Sequence, residues 1–477
     1  MFALVLSLLC GGMGLCGCND ELSTSPSDQP TLSVDTLHMG TLLAGNSSKT
    51  YQIKLYNRCR AELQLTSIVL REATTSGFRM NVDGMNGTSF TQSELLRIAE
   101  GDSMFIFVEA TFPEYGTTGI ARHTDYIDIF CNQRQQTIVL DAQSKDVLKL
   151  HGEVLDQDAT WTSGMDVQVY DSLVIPQGVK LTLMDSVTVY LHDKADIRVR
   201  GTLVCEGKPG RPVVIRGDRT DNMFTYLPYD NLPSQWGSMY IDSTAQACRF
   251  VHTDIRGMSH GIQIDSTDVV FDACQIKNSD GNLLTCHMTQ LTMHNCLLSN
   301  ASGALLDIYG GWYDVTHCTL ANYNFTAVAR TQALRLCNMD TAACRYTPLH
   351  QCTLLNTLVW GRWRMPDVNL DYFEVALDTD ASGQTIYADS IFTYRFDHCL
   401  LKANGSDDDS FVSTVWNKHP LYQETDSSHY HFDFHLQPSS PAIGMGASEG
   451  AKRCPVDLDG VSRLSQPSIG CYEISTK

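Results

Sequence analysis

After residue 15 this 477-residue chain has no apolar run long enough to cross a bilayer as a helix. Charge is also sparse, at 18% of residues, and basic charge is sparser: 34 Lys and Arg stand against 54 Asp and Glu, a formal net charge of -20. Such a surface repels nucleic acid and anionic headgroups, so neither is an expected partner. An acidic polysaccharide would need a bridging cation or a local basic patch. No CxxC pair occurs among the 17 cysteines, and no Cys/His grouping has the spacing of zinc ligands. What is present, 43% hydrophobic residues over this length, is enough for two or three domains with packed cores and excludes disorder.

The one long apolar stretch, Phe2 to Leu15, reads as a signal peptide. It ends in Leu15-Cys16-Gly17-Cys18, which resembles the lipobox of bacterial lipoproteins. The resemblance implies removal of residues 1–17 and lipidation of Cys18, although no Lys or Arg precedes the apolar run as it does in most leaders. Asn19, Asp20 and Glu21 resemble the acidic tag that directs some Gram-negative lipoproteins to the outer face of the outer membrane. The expected location is therefore the outer membrane, held by the lipid anchor alone and exposed on the cell surface. Residues 18–30, rich in Ser, Thr, Asp and Pro, make a flexible tether. An exported chain can form disulfides. Cys59 with Cys131, Cys337 with Cys344, and Cys454 with Cys471 can pair, and spacing leaves the connectivity open.

A repeat decides the fold. Phe271-Asp-Ala-Cys274-Gln-Ile276-Lys-Asn278 recurs as Met293-His-Asn-Cys296-Leu-Leu298-Ser-Asn300 and as Val315-Thr-His-Cys318-Thr-Leu320-Ala-Asn322, with cysteines 22 residues apart. Further copies are read at Leu349 to Asn356, around Cys352, and at Phe396 to Leu401, around Cys399; Thr253 holds the cysteine slot one copy earlier. The gaps of 34 and 47 residues before the last two cysteines imply insertions. Apolar alternation inside short segments at this period means two or three strands per coil, stacked as a right-handed parallel β-helix. The cysteines then form an internal column of small hydrophobes, and the asparagines a ladder at one bend.

Gly201 to Gly207 with Arg211 to Arg216 resemble the first rungs of right-handed β-helix repeat proteins of bacterial surfaces. Phe434 to Ile443, Asp457 to Gly460 and Ile469 to Glu473 resemble the terminal segment of the choice-of-anchor Q group, Cys471 replacing a small residue usual there. Residues 31–155 alternate as strands, and Asp35 to Leu70 resembles Ig-like domains of the Hydin type. The expected architecture is all-β: an Ig-like β-sandwich at 31–155, a β-helix at 156–412, and a segment at 413–477 capping the β-helix.

Chemistry is harder to find. A lyase needs a cation for the uronate and a base at its α-proton, and a hydrolase needs two carboxylates across the scissile bond; neither set stands out. Ser259-His260-Gly261 echoes a hydrolase signature but sits in an ordinary turn. Asp378, Asp380, Ser382 and Asp389 have calcium-loop spacing, yet Thr385 replaces the usual apolar eighth residue, so a hairpin is favoured and no cofactor is expected unless calcium binds there. Asp407 to Asp409, and the turn at Asp457 and Asp459, read as solvated loops. The aromatics beside insertions, Tyr309, Trp312 and Tyr313, then Trp360 and Trp363 with Arg362, are the candidate glycan platforms, because ring faces stack on the C–H surfaces of sugars. Core cover is the competing role for them and for Trp236. The expected function is a noncatalytic, envelope-anchored protein that binds a glycan or another surface partner. The alternatives are a polysaccharide lyase or glycoside hydrolase, and a structural or adhesive surface protein. The oligomeric state is left open.

Overall fold

A computed structural model describes residues 21–474, apart from 74, 92–95, 117–118, 225, 325–331, 363–365, 372–374, 380–384 and 389. The leader and Cys18 lie outside the described residues. No helix among those described is long and apolar enough to cross a membrane. The chain divides into two compact units, Met1–Asp146 and Val147–Lys477.

The first unit is built on alternation. Ser103–Ala110 buries every second residue, and Tyr51–Tyr56 and Leu63–Leu70 show the same two-residue period. One sheet of five strands centres on Tyr51–Tyr56, Ser103–Ala110 and Phe78–Val82, and a second of six on Arg134–Lys145, Ile120–Cys131 and Leu63–Leu70. Ile53, Leu55, Ile106 and Val108 from the first share one core with Leu65, Ile127, Ile129 and Leu140 from the second. The unit is thus a β-sandwich.

The second unit is an all-parallel sheet of 26 strands wound as a right-handed β-helix, three strands to a coil. The registers define three faces. On the first, Met239, Ile262, Leu284, Leu306 and Leu334 are equivalent. On the second, Phe250, Phe271, Met293, Val315, Leu354 and Phe396 follow one another. On the third, Ile255, Ile276, Leu298, Leu320, Val359 and Leu401 do so. All of these are fully buried, each stabilising the stack by about 1.5–3 kcal/mol. The solenoid begins earlier than expected, because Leu148–Val154 pairs in parallel with Val167–Ile175. It also ends later, at Val415–Trp416.

Cys274, Cys296 and Cys318 occupy equivalent, fully buried positions between the second and third faces, as the repeat requires. The residue before each turns the corner in the left-handed region: φ is 52° at Ala273, 57° at Asn295 and 52° at His317. The column continues through Thr357, not Cys352, to Cys399. Cys352 instead pairs in register with Tyr313 and Tyr394, after an irregularity beside Leu349. The Cys-x-Leu-x-Asn spelling around Cys352 imitates the repeat five residues too early. Hydrogen bonding explains why Thr and Cys alternate here. Cys274 and Cys318 point S–H at Phe250 O and Met293 O of the preceding coil (3.3 and 3.4 Å), and Thr357 Oγ1 does the same to Val315 O (3.2 Å). Burial raises the thiol pKa at Cys399 to about 12. All fourteen cysteines among the described residues are free, those of the three expected pairs included.

The insertions are hairpins: Asn222–Phe224 with Leu227–Pro228, Met339–Asp340 with Arg345–Tyr346, and Val375–Thr379 with Thr385–Ala388. The C-terminal segment, expected to cap the β-helix, packs on the third face. There the outward residues Leu297, Leu358 and Leu400 are also apolar and form a second core with Tyr422, Phe434, Ile469 and Tyr472. Asp457 is not solvated but buried, its Oδ1 accepting from Val461 N and Asp459 N. Arg463, fully buried, pairs with Glu473 at 3.1 Å and donates to Asn295 Oδ1 at 2.9 Å.

His317 seals the same seam. Asn356 Nδ2 donates to its Nε2 at 2.9 Å, which leaves Nδ1 to donate to Gly470 O at 3.3 Å. Burial, aided by the nearby Arg463 cation, pushes its pKa down to about 3. Its folded pKa is thus below the unfolded value of about 6.5, so its contribution to stability is complete above about pH 6.5 and is lost as the pH falls toward 3. Denaturant midpoints are expected to fall through this window, and His317→Gln to flatten the fall. A wild-type midpoint constant down to about pH 3.5 would contradict this role.

Candidate functional site

The six residues singled out in the sequence as glycan contacts do not form one strip. Tyr313 points inward, 2% exposed, with its hydroxyl donating to Gly310 O at 2.7 Å. Trp360 is 6% exposed and belongs to the core under the C-terminal segment, and Trp236 is fully buried with Nε1 donating to Arg256 O. These three are core, because each projects where a coil or its cover needs volume. Tyr309 lies on the outer surface of the first face, but His287 stacks on it at 4.5 Å and the Arg335 guanidinium sits 4.7 Å from its centroid, so its ring is already engaged. Arg362 donates to Ser427 Oγ. Trp363 lies outside the described residues. Among the described aromatic candidates, Trp312 keeps a large exposed area, 42%, with its ring stacked on His350 at 4.3 Å. Of the calcium candidates, Asp378 stands in a hairpin strand opposite Ile386, whereas Asp380, Ser382 and Asp389 are outside the described residues.

Two grooves lined by described residues lie on the β-helix. The first, about 680 Å³, crosses the outer surface of the first face between His260, Asn282, His287, Asp307, Tyr309 and Asp340. Its central carboxylate is committed: Asp307 takes Arg335 at both oxygens (2.7 and 2.8 Å) and Asn282 Nδ2 at 2.7 Å.

The second groove, about 510 Å³, lies between the third face and the C-terminal hairpin Tyr422–Asp426 with His431–Leu436. Its floor is the asparagine ladder. Asn278 and Asn300 are equivalent on consecutive coils, at φ of 61° and 59°, a left-handed turn that Asn tolerates. Asn278 Nδ2 donates to Asp230 O, and Asn300 Oδ1 accepts from Tyr323 N. The other amide atom of each, Oδ1 of Asn278 and Nδ2 of Asn300, has no protein partner among the described residues. Asn322 follows in the same column but turns its amide to Ala301 O and Gly303 O.

The wall is aromatic and charged. Tyr430, Phe432 and Phe434 follow at two-residue spacing and all three line the groove; Phe434 is also buried in the second core, with Phe432 packed against that core and stacked on Phe434 at 6.0 Å. His435 bridges Asp433 (2.5 Å) and Asp459 (2.7 Å) over the Tyr472 ring; burial opposes its charge, but the two carboxylates outweigh burial and raise its pKa. At the other end Lys277 is paired with Asp254 at 3.3 Å, next to the Arg256 pair with Asp230. Aromatic faces over free amides, with the charges already paired, suit a hydroxyl-rich neutral ligand.

As a binding site this groove was not read from the sequence, although its asparagines, Phe434, His435 and Tyr472 fall in segments quoted there for the fold. The signal was the two-residue spacing of Tyr430, Phe432 and Phe434, a half-buried strand with one ring face left outside.

No family model and no curated protein matches this chain. Among solved structures it is similar to a protein of unknown function from Porphyromonas gingivalis, at 18% identity and TM-score 0.18, covering 26% of this chain and 48% of that one. A family 123 glycoside hydrolase from Clostridium perfringens matches at 10% identity and TM-score 0.17, over 24% of this chain and 26% of that one. The CupB6 tip adhesin from Pseudomonas aeruginosa matches at 12% and 0.17, over 25% and 42%. The chain spans less than half the length of each of these structures, and likeness at this level identifies no activity.

Proposed function

We propose that the chain is an envelope-tethered, noncatalytic β-helix protein that binds a neutral glycan in the groove between its third face and its C-terminal hairpin. The observation that carries this reading is the lining itself: free amide atoms of Asn278 and Asn300 under the rings of Tyr430 and Phe432. In the same reading Cys18 carries lipid at the outer membrane. An acidic glycan would meet Glu424 and Asp433 and a net charge of -20, which disfavours it. A hydrolase or lyase would use the first-face groove, where Asp307 is held by Arg335 rather than poised over a bond.

The test uses the Cys18→Ser protein, expected to leave the membrane fraction, screened against a polysaccharide panel for binding and for release of reducing ends or unsaturated products. Binding of a neutral glycan without product release is expected. Tyr430→Ala should weaken it by about 1–2 kcal/mol. Product release, or binding indifferent to Tyr430→Ala, would overturn the reading.

A further inference from the structure

Given that the groove holds a sugar, we infer that its ligand is an extended, linear, neutral polysaccharide lying along the solenoid axis, and that the exposed hairpin Asn222–Phe224 with Leu227–Pro228 is a second aromatic platform reached by the same chain. Direction comes from the ladder. Asn278 and Asn300 sit on consecutive coils, so their backbones lie one strand spacing apart, about 4.8 Å, and the floor offers an acceptor at one coil and a donor at the next. That spacing is the scale of one pyranose ring in an extended chain. A ligand across the coils would meet one amide, whereas a ligand along the axis meets both, one sugar to a rung.

Length comes from what lies at the groove's end. There the tip of the C-terminal hairpin docks on the turn Tyr229–Asn231, which follows the hairpin Asn222–Phe224 with Leu227–Pro228, Asn231 Nδ2 donating to Tyr430 O at 3.2 Å. Beyond that contact Tyr226 meets His429 edge-on at 5.8 Å and stacks with Phe224 at 5.8 Å. Phe224 is 53% exposed and Tyr226 48%, with Met223 beside them at 48%. Two stacked rings held out in water beside an aromatic groove are poorly placed for a core and well placed to take the next sugars of a chain. Neutrality follows from the wall carboxylates and from Lys277, whose charge is already matched by Asp254.

The experiment is calorimetric titration of the purified protein with linear gluco- and manno-oligosaccharides, from disaccharide to octasaccharide, beside the Phe224→Ala/Tyr226→Ala variant. Wild-type affinity is expected to rise about tenfold over the series as the second platform is reached. The variant should keep the disaccharide affinity and lose the rise. Because both rings are exposed, its melting temperature should match wild type, which separates a lost platform from a lost fold. Affinity independent of length, or a rise that survives in the variant, overturns the inference and leaves the groove's glycan reading standing. Failure of every oligosaccharide to bind the wild type overturns both.

Discussion

Alanine at Arg463 is expected to lower the unfolding free energy by about 3–5 kcal/mol. The guanidinium is fully buried and joins three parts of the fold: Glu473 at 3.1 Å, Asn295 Oδ1 on the solenoid corner at 2.9 Å, and the carbonyls of Val456 and Gly470 at 2.8 and 2.9 Å. Its removal strands the Glu473 carboxylate, 6% exposed, with Ser468 N as its donor, and leaves two carbonyls short of a partner. A stranded charge, not the lost attraction, accounts for most of that cost. Urea unfolding followed by tryptophan fluorescence measures it. Adding Glu473→Ala should restore part of the loss, and a single-variant loss under about 1 kcal/mol would mean the ion pair does not hold the seam.

The second large effect is at Trp360, where alanine is expected to cost about 3–5 kcal/mol through the cavity left among Leu358, Tyr323 and Tyr422. Trp312→Ala, by contrast, removes a ring that is 42% exposed and should stay within about 1 kcal/mol of wild type. Thermal melting distinguishes the two directly. Equal melting of the variants would place Trp360 outside the core.

How much of this was legible from the sequence follows from what a two-residue period can and cannot encode. Cys274, Cys296 and Cys318 were legible because the inward column repeats without interruption. Cys352 misled because an insertion and a register irregularity put a look-alike of the repeat on the second face. The burial of Trp360 and Tyr313 was hidden for a different reason: residue type does not say whether a ring on a bend turns in or out. Tyr313 turns in after Gly310 and Gly311 bend the strand from the first face to the second at φ of 66° and 103°. The cover on the third face had left a trace in the pairs Leu297-Leu298, Leu358-Val359 and Leu400-Leu401. Adjacent apolar residues in a strand mean that both sides are dry. The glycan groove was the least legible part, since it needs Asn300 and Tyr430 together, and nothing local links them.

That doubly dry third face sets an order of assembly. Each coil pairs with the one before it, 22 residues back where no insertion intervenes and about forty where one does, and can therefore zip from the amino end as the chain emerges. Arg463 reaches Asn295 across 168 residues and His317 reaches Gly470 across 153. Such distant contacts form late, because loop closure must precede any gain from them. Until the segment after residue 420 arrives, Leu297, Leu358 and Leu400 stand uncovered on a nearly finished solenoid, the kind of surface that invites association between nascent chains. A protein built this way depends on completion of its final segment for solubility while folding, well before it meets a ligand.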